Sequence, residues 1–390
     1  MLEERDLIQA RFAKLQALRD RNLDPFKIER FERDAMVVGV SVEPPRSAGV
    51  IEAFAKAEES TAEGETPPSR VALAGRVVAL REMGKAAFAH IEDEAGRIQV
   101  YFKSDALPEG QYEIVKLLDL GDFVGARGYV FRTRTGEITI HVEDFQLLSK
   151  ALRPPPIGKQ KGEESWYGLH DVEQRYRQRY LDLMANPDVR RTFTVRARTI
   201  GAIREFLNAR GFIEVDTPIL QAIAGGATAR PFITHHNTLD IDLYLRVAPE
   251  LYLKRLIVGG FERVYEIGKA FRNEGISTRH NPEFTILETY EAYADYEDVM
   301  RMAEQMVALT AEKALGSMKL TFQGNEIDLT PPWRRMNLYE AIREHAGVDF
   351  EQTSDEAEAR KLAEQAGIDT SGIVGYGKIV DEVLSALKDL

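Results

Sequence analysis

Residue types that can do chemistry recur at even spacing in Phe261–Tyr293, FERVYEIGKAFRNEGISTRHNPEFTILETYEAY. Val264, Glu266, Gly268, Ala270 and Arg272 alternate through the run Glu262–Arg272. Phe284, Ile286, Glu288, Tyr290 and Ala292 alternate through Glu283–Tyr293. Alternation sends successive side chains to opposite faces of a strand. The stretch therefore predicts two strands joined by a charged loop, Asn273–Pro282, with Arg279 and His280 near its end. A guanidinium, a carboxylate and an aromatic ring would converge beside a basic loop. That set suits a charged, planar ligand such as a nucleotide. Gly268 and Ala270 are small, which predicts room beside Arg272 for something other than protein. The same alternation also fits an ordinary surface hairpin with a polar tip.

The elements around this hairpin must position it. Asp188–Arg210 reads as a helix, with Phe193, Ala197, Ile200, Ile203 and Leu207 in one apolar stripe. Gly211 suits its left-handed cap. Phe212–Val215 reads as a short strand broken at Thr217-Pro218, Ala224–Thr228 (AGGAT) as a glycine loop, and Leu243–Val247 as a strand. Pro249–Gly259 begins a helix with Pro and Glu in its first turn. Further on, Tyr296–Leu315, Met336–Ala346, Ser354–Ala366 and Ile379–Leu390 read as helices, and Thr321–Leu329 as a short hairpin.

An earlier block has a different grain. Val71–Lys150 reads as five strands: Val71–Arg81, Ala86–Glu92, Gly96–Phe102, Asp122–Thr133 and Glu137–Leu147. Pro108–Leu118 has helical character after the third strand, the pattern of an OB-fold barrel. Such barrels hold single-stranded nucleic acid by stacking bases on aromatic rings. Phe88, Tyr101 and Phe102 are candidate rings. Gln99 and Glu137 could read a base edge, and Arg76 could meet phosphate or base. A solvated outer face explains the polar positions equally well. Leu2–Arg21 reads as an amphipathic helix with Ile8, Phe12 and Leu15 on one face. Ala151–Gly168 reads as a linker stiffened by prolines, and Leu169–Ala185 as a helix whose Arg175, Arg177 and Arg179 either touch RNA or buttress a junction.

At 390 residues the chain is long enough for two or three cores. A net charge of -12 argues against coating by nucleic acid, though a local basic groove remains compatible with it. No run approaches the roughly 18 apolar residues of a membrane span. The absence of cysteine fits a reducing compartment, and the expected location is cytoplasmic.

Together these residues resemble the class II aminoacyl-tRNA synthetases of the lysine-specific kind, from the N-terminal helix to the last residue. The resemblance implies an α+β chain: an N-terminal OB-fold barrel for the anticodon, then a class II antiparallel sheet flanked by helices. It implies four parts: an extension and linker (1–70), the barrel (71–150), a junction (151–185) and the catalytic domain (186–390). Arg210–Leu220 (RGFIEVDTPIL) is similar to the first class II motif, which implies a homodimer interface around Gly211 and Pro218. Arg272-Asn273-Glu274 and the loop to Phe284 are similar to the second motif, and Gly225–Asn237 (GGATARPFITHHN) is close to the lysine enzymes.

The family's roles carry across by position. Arg272 matches the catalytic arginine that meets the ATP α-phosphate and the amino-acid carboxylate, as a planar fork can. Glu274, His280, Asn281 and Phe284 match ATP-binding positions, with Phe284 stacked on adenine. Gly226 and Glu250 match positions at the substrate α-amino group. Glu288 and Tyr290 match positions at the lysine ammonium, and Arg76, Phe88, Gln99 and Glu137 become anticodon candidates. The implied partners are ATP, L-lysine and tRNA(Lys), with Mg²⁺ accompanying ATP and no membrane. The third class II motif, a glycine-rich strand with a second arginine, is not found. The chain is therefore expected to be C-terminally truncated, with its metal ligands in the missing part. A catalytically incomplete tRNA- and ATP-binding fragment, or an aspartate or asparagine enzyme, are the competing readings. The insertion-like GKQKGEESWYG after Pro156 has no assigned role.

Overall fold

The computed structural model describes residues 2–62, 64–156, 159–161, 164–166 and 169–387. The chain divides into two compact units, residues 1–192 and 193–390. The first contains α1 (Leu2–Arg19), β1 (Asp34–Val37), β2 (Val40–Ser41), α2 (Ser47–Glu58), β3 (Ser69–Met83), β4 (Ala86–Glu92), β5 (Arg97–Lys103), α3 (Gln111–Val115), β6 (Phe123–Arg132) and β7 (Ile138–Ser149). A small ribbon, β8 (Lys159–Lys161) with β9 (Glu164–Trp166), precedes α4 (Val172–Arg177) and α5 (Arg179–Ala185). The side chains of the insertion-like stretch lie outside the described residues.

Five strands close a barrel in the order β3-β4-β5-β7-β6, with β6 pairing back onto β3. Only β5 and β7 run parallel. Period-two alternation sends Val71, Leu73, Val77, Ile91, Ile98, Val100 and Phe102 inward. Phe102, a candidate base-stacking ring, is thus fully buried against Phe145 and belongs to the core. Leu18, Val37, Val50 and Phe54 join the same core, so the N-terminal helices pack on the barrel.

The buried stripe of α1 is displaced from its expected place. Leu15 and Leu18 are buried as its spacing requires, but Arg11 (8 % exposed) is the third member and Phe12 (50 %) faces outward. Arg11 is buried because Nη1 donates to the Leu120 and Ala151 carbonyls at 3.1 and 2.7 Å. Beside it, the Lys150 ammonium is buried between Asp119 and Asp122, 2.7 Å from the latter. Leu169–Ala185 is two helices rather than one, since Gln178 leaves helical geometry between them (φ -122, ψ 57). Arg175 and Arg179 both bind the buried Asp182 carboxylate, which is the buttress role.

The second helix of the junction is followed by α6 (Pro187–Ala209). Of its apolar stripe Leu207 is buried, Ile200 and Ile203 are half-buried, and Phe193 and Ala197 are exposed. Then come β10 (Ile213–Glu214), β11 (Leu220–Gln221), β12 (Ile233–His236), β13 (Ile241–Leu245), α7 (Glu250–Val258), β14 (Arg263–Phe271), β15 (Glu283–Glu291) and α8 (Tyr296–Leu315). The chain continues through the hairpin β16 (Lys319–Phe322) and β17 (Asn325–Asp328) to α9 (Leu338–Ala346), α10 (Glu356–Gln365) and α11 (Tyr376–Leu387). Residues 388–390 of the last expected helix lie outside the described residues.

The central sheet has the order β10-β14-β15. Its Tyr265 packs on Phe206, Leu207 and Phe212, so α6 covers one face. The other face carries Val264, Glu266, Gly268 and Ala270 opposite Tyr290, Glu288, Ile286 and Phe284. A second sheet, β11-β13-β12, lies in the same unit. Helices α9 to α11 enclose a core of their own, built on Ile342, Phe350, Ala359, Ile379 and Val383.

Candidate functional site

The hairpin forms within a residue or two of the expected limits, and its register brings the expected side chains together. Directly opposite residues of an antiparallel pair share a face. Phe284 therefore stands beside Ala270, and the Arg272 guanidinium lies over the Phe284 ring at 5.2 Å from its centroid. Arg272 Nε is buried with no hydrogen-bond partner. A buried donor without an acceptor costs about 1–3 kcal/mol, so this atom marks a place where an acceptor would be stabilised.

The expected room beside Gly268 is already filled by protein. A Cβ at Gly268 would collide with the guanidinium of Arg246. Arg246, just past β13, is 1 % exposed and Glu266 is 2 % exposed. Their side chains form a direct ion pair. Arg246 Nε donates to the Lys269 carbonyl at 2.7 Å, and Nη1 donates to Thr217 Oγ1 at 3.0 Å. Thr217 Oγ1 in turn donates to Glu266 Oε2 at 2.6 Å. Every member of this triad is satisfied, as a buried charge must be. Glycine is required because the arginine occupies the space of its side chain. Sequence reading missed Arg246: one arginine in the apolar run LYLRVA looks like a solvated position. The usable signal was its coincidence with a glycine and a glutamate at i and i−2 of a facing strand.

Glu288 lies directly across from Glu266. Among the described residues no ion pair to it is seen, and it accepts a hydrogen bond from the Tyr290 hydroxyl at 3.4 Å. Burial pushes the Glu288 carboxyl above its ordinary range, and the charges of Glu250 and Glu266 push it further. The Tyr290 hydrogen bond and Arg246 act the other way without reversing the shift. The Tyr290 phenol is raised as well, by burial first and then by Glu288 and Glu250. Gly226 has φ +91, and a Cβ there would stand 2.9 Å from Glu250 Cβ, so Gly226 and Glu250 are adjacent. Glu250 also pairs with Lys254, one turn along α7.

The loop after β14 is tied to the segment that follows the glycine loop. Asn273 N–H donates to the Arg230 carbonyl at 2.7 Å, and Arg230 N–H donates to Glu274 Oε1 at 3.3 Å. Ser277 Oγ and His280 Nδ1 are 2.8 Å apart, and Asn281 Nδ2 donates to the Glu283 carbonyl at 3.0 Å. Gly211 takes φ +78 at the end of α6. Pro218 is exposed, with exposed Ile213, Ile219 and Leu220 around it. Among the described residues no three His, Cys, Asp or Glu side chains converge as a metal site requires, and no helix is long and apolar enough to cross a membrane.

On the barrel's outer face, Phe88, Gln99 and Glu137 line one groove of about 690 Å³. Gln99 Nε2 donates to Glu137 Oε2 at 2.6 Å, His90 Nε2 lies 2.6 Å from Glu137 Oε1, and Thr139 Oγ1 donates to Gln99 Oε1 at 2.8 Å. The Phe88 and Tyr101 rings lie 4.6 Å apart between centroids, tilted by 30°. Arg76 does not line this groove. Beyond the bulge at Val77/Ala79, its guanidinium lies over Phe123 and donates to the Gly121 carbonyl at 3.1 Å. His90, Phe131 and Arg81 line the groove but escaped the sequence reading. They sit on the outward phase of their strands, and that phase was the available signal.

A closed barrel with an aromatic groove, and a separate sheet whose antiparallel hairpin carries an arginine–phenylalanine pair and the Glu288 carboxylate, together define a class. The family described as tRNA synthetases class II (D, K and N) matches residues 171–373, and the OB-fold nucleic acid binding domain matches residues 71–148. The chain belongs to the class II tRNA synthetases. Within that family it is 49 % identical over 385 residues to the lysine–tRNA ligase of Thermoanaerobacter sp. strain X514, covering 99 % of this chain and 72 % of that protein. The lysine–tRNA ligase of Moorella thermoacetica is 50 % identical over 384 residues, covering 98 % of this chain and 73 % of its own length.

Proposed function

We propose that the chain ligates L-lysine to tRNA(Lys) with ATP, through lysyl-adenylate. The observation that carries this reading is Glu288: a partly buried carboxylate with no cation paired to it among the described residues, beside Tyr290 and on the same sheet face as Phe284. Burying an ammonium is costly unless it is paired, and here the pairing group is already in place. Leucine or methionine would leave Glu288 unpaired and be rejected. An acidic side chain would be repelled by Glu288 and Glu250, which argues against aspartate.

In the first step the lysine carboxylate attacks the α-phosphate of ATP, forming the acyl phosphate and releasing pyrophosphate. In the second a terminal hydroxyl of tRNA attacks the lysyl carbonyl and AMP leaves. Arg272 meets the carboxylate and α-phosphate, and the acceptor satisfies its buried Nε. Phe284 stacks on adenine while Glu274, His280 and Asn281 hold the nucleotide. Gly226 and Glu250 take the α-ammonium, and Glu288 with Tyr290 the side-chain ammonium. Catalysis then comes from positioning and charge stabilisation, with no side-chain nucleophile. Mg²⁺ would enter with ATP and offset its phosphate charge; among the described residues no cluster is arranged to hold it. Phe88, Gln99 and Glu137 read the anticodon. The chain acts in the cytoplasm as a homodimer through the Gly211–Pro218 segment, where exposed Ile213 and the neighbouring Ile219 suit a self-complementary patch. The test is calorimetric binding of L-lysine and L-aspartate, followed by amino-acid-dependent ATP–pyrophosphate exchange. Selective binding of L-lysine is expected; selective binding of L-aspartate overturns the reading.

A further inference from the structure

We propose that Arg246 is a specificity-determining positioning residue: by pairing fully with Glu266, it leaves Glu288 as the carboxylate of this sheet face that is open to a side-chain ammonium. The inference deepens the lysine reading and rests on it for the identity of the ligand.

Three carboxylates and one guanidinium gather here. Glu266 and Glu288 are cross-strand partners, and like charges directly opposite destabilise a sheet. Without Arg246, two anions would share one face, and one of them would take up a proton. That would be Glu288, because Glu266 keeps the hydrogen bond from Thr217 Oγ1. A protonated Glu288 is a neutral group and no longer selects for an ammonium. Arg246 prevents this while itself staying out of reach: it is buried under Gly268, with donors committed to Glu266, Thr217 and the Lys269 carbonyl. The charge is placed where it cancels Glu266 and does not bridge to Glu288. The groups facing Glu288 are Glu266 from β14, Glu250 from α7, Tyr290 from its own strand and Arg246 from the end of β13. Lys254 pairs with Glu250, but its side chain is largely in solvent, where screening weakens its effect.

The roles separate in a double-variant cycle. Glutamate labelled with ¹³C at Cδ reports the titration of Glu288 directly, with Glu288→Gln identifying its signal. Arg246→Met is expected to move the Glu288 titration up, and Glu266→Gln to move it down. The pair Arg246→Met with Glu266→Gln should return it near the original position, because the two charges leave together. L-Lysine affinity at neutral pH should fall about tenfold in Arg246→Met and recover in the double variant. If Arg246→Met does not fold, Glu266→Gln and the double variant still decide the matter. A Glu288 titration unchanged in Glu266→Gln and in the double variant relative to each other overturns the coupling, since a purely structural pair would alter only stability. A titration that responds as expected, in a chain that does not bind L-lysine, retains the coupling and overturns the ligand.

Discussion

The barrel and the hairpin sheet both bury charge, but they finish the job differently. In the barrel, Lys150 is enclosed by Asp119 and Asp122, Lys14 reaches Asp119 at 2.7 Å, and the Ala151 N–H donates to Asp122 at 2.8 Å. Burial alone would raise the Asp119 carboxyl, yet the hydrogen bonds from Lys14 and Lys150 bring it below its ordinary range. In the sheet, Arg246 and Glu266 are equally complete, but Glu288 across the ladder has no cation paired to it among the described residues. The closed cluster holds a scaffold together. The open carboxylate costs stability and keeps a group ready for a ligand, a familiar trade at functional sites.

That contrast breaks most visibly in the barrel. Asp122→Ala leaves Lys150 with half its partners and should cost about 3–5 kcal/mol, read as faster amide hydrogen exchange along β3 to β7. Unchanged exchange would show the cluster to be dispensable. In the sheet the effect should fall on chemistry. Arg272→Ala should reduce lysine-dependent ATP–pyrophosphate exchange by roughly two to three orders of magnitude while shifting the melting temperature little. A loss below tenfold would make the Arg272–Phe284 contact merely structural.

Sequence served these two regions unequally, for physical reasons. The hairpin and the five barrel strands were legible because alternation is a local signal and turns punctuate it. The phase of the alternation also placed Phe284, Glu288 and Tyr290 on one face. Burial of a charge was not legible, because it depends on partners far along the chain. Arg11 finds carbonyls more than a hundred residues away, and Arg246 finds Glu266 and Thr217 from separate elements. For the same reason Gly268 looked like space for a ligand when it is space for an arginine.

Smaller effects sharpen the comparison. In the barrel groove, Gln99→Ala removes one hydrogen bond to Glu137 and one from Thr139. It should weaken tRNA(Lys) binding about tenfold, on the order of one hydrogen bond, measured by filter binding at fixed salt. No change would remove Gln99 from the anticodon contact. The smallest effect concerns Glu288 and has a sign. Its carboxyl is raised in the folded chain from an ordinary 4.5, so the folded state binds the proton more tightly than the unfolded one. Stability linked to this group is therefore present below the ordinary value and is lost as pH rises through the raised one. Glu288→Gln should increase the melting temperature by roughly 1–3 °C at pH 8, and the gain should vanish near pH 4. A gain that persists at low pH would assign it to packing rather than charge.

The three-helix cluster of α9, α10 and α11 carries a consequence for descent. Its apolar residues are spent on one another: Ile342, Phe350, Ala359, Ala363, Ile379 and Val383 form a core separate from that under the central sheet. The Tyr376 hydroxyl closes it by donating to the Phe350 carbonyl at 2.7 Å, and Arg360 ties α10 to the Ile373 carbonyl at the same distance. A segment that keeps its own core forms a cooperative unit able to open by itself. Mutations there can accumulate, and loops between its helices can lengthen or shorten, without disturbing the register of β14 and β15. Lineages diverging from a common ancestor would therefore be free to rework this cassette while the arginine, phenylalanine and glutamate of the hairpin stay where they are.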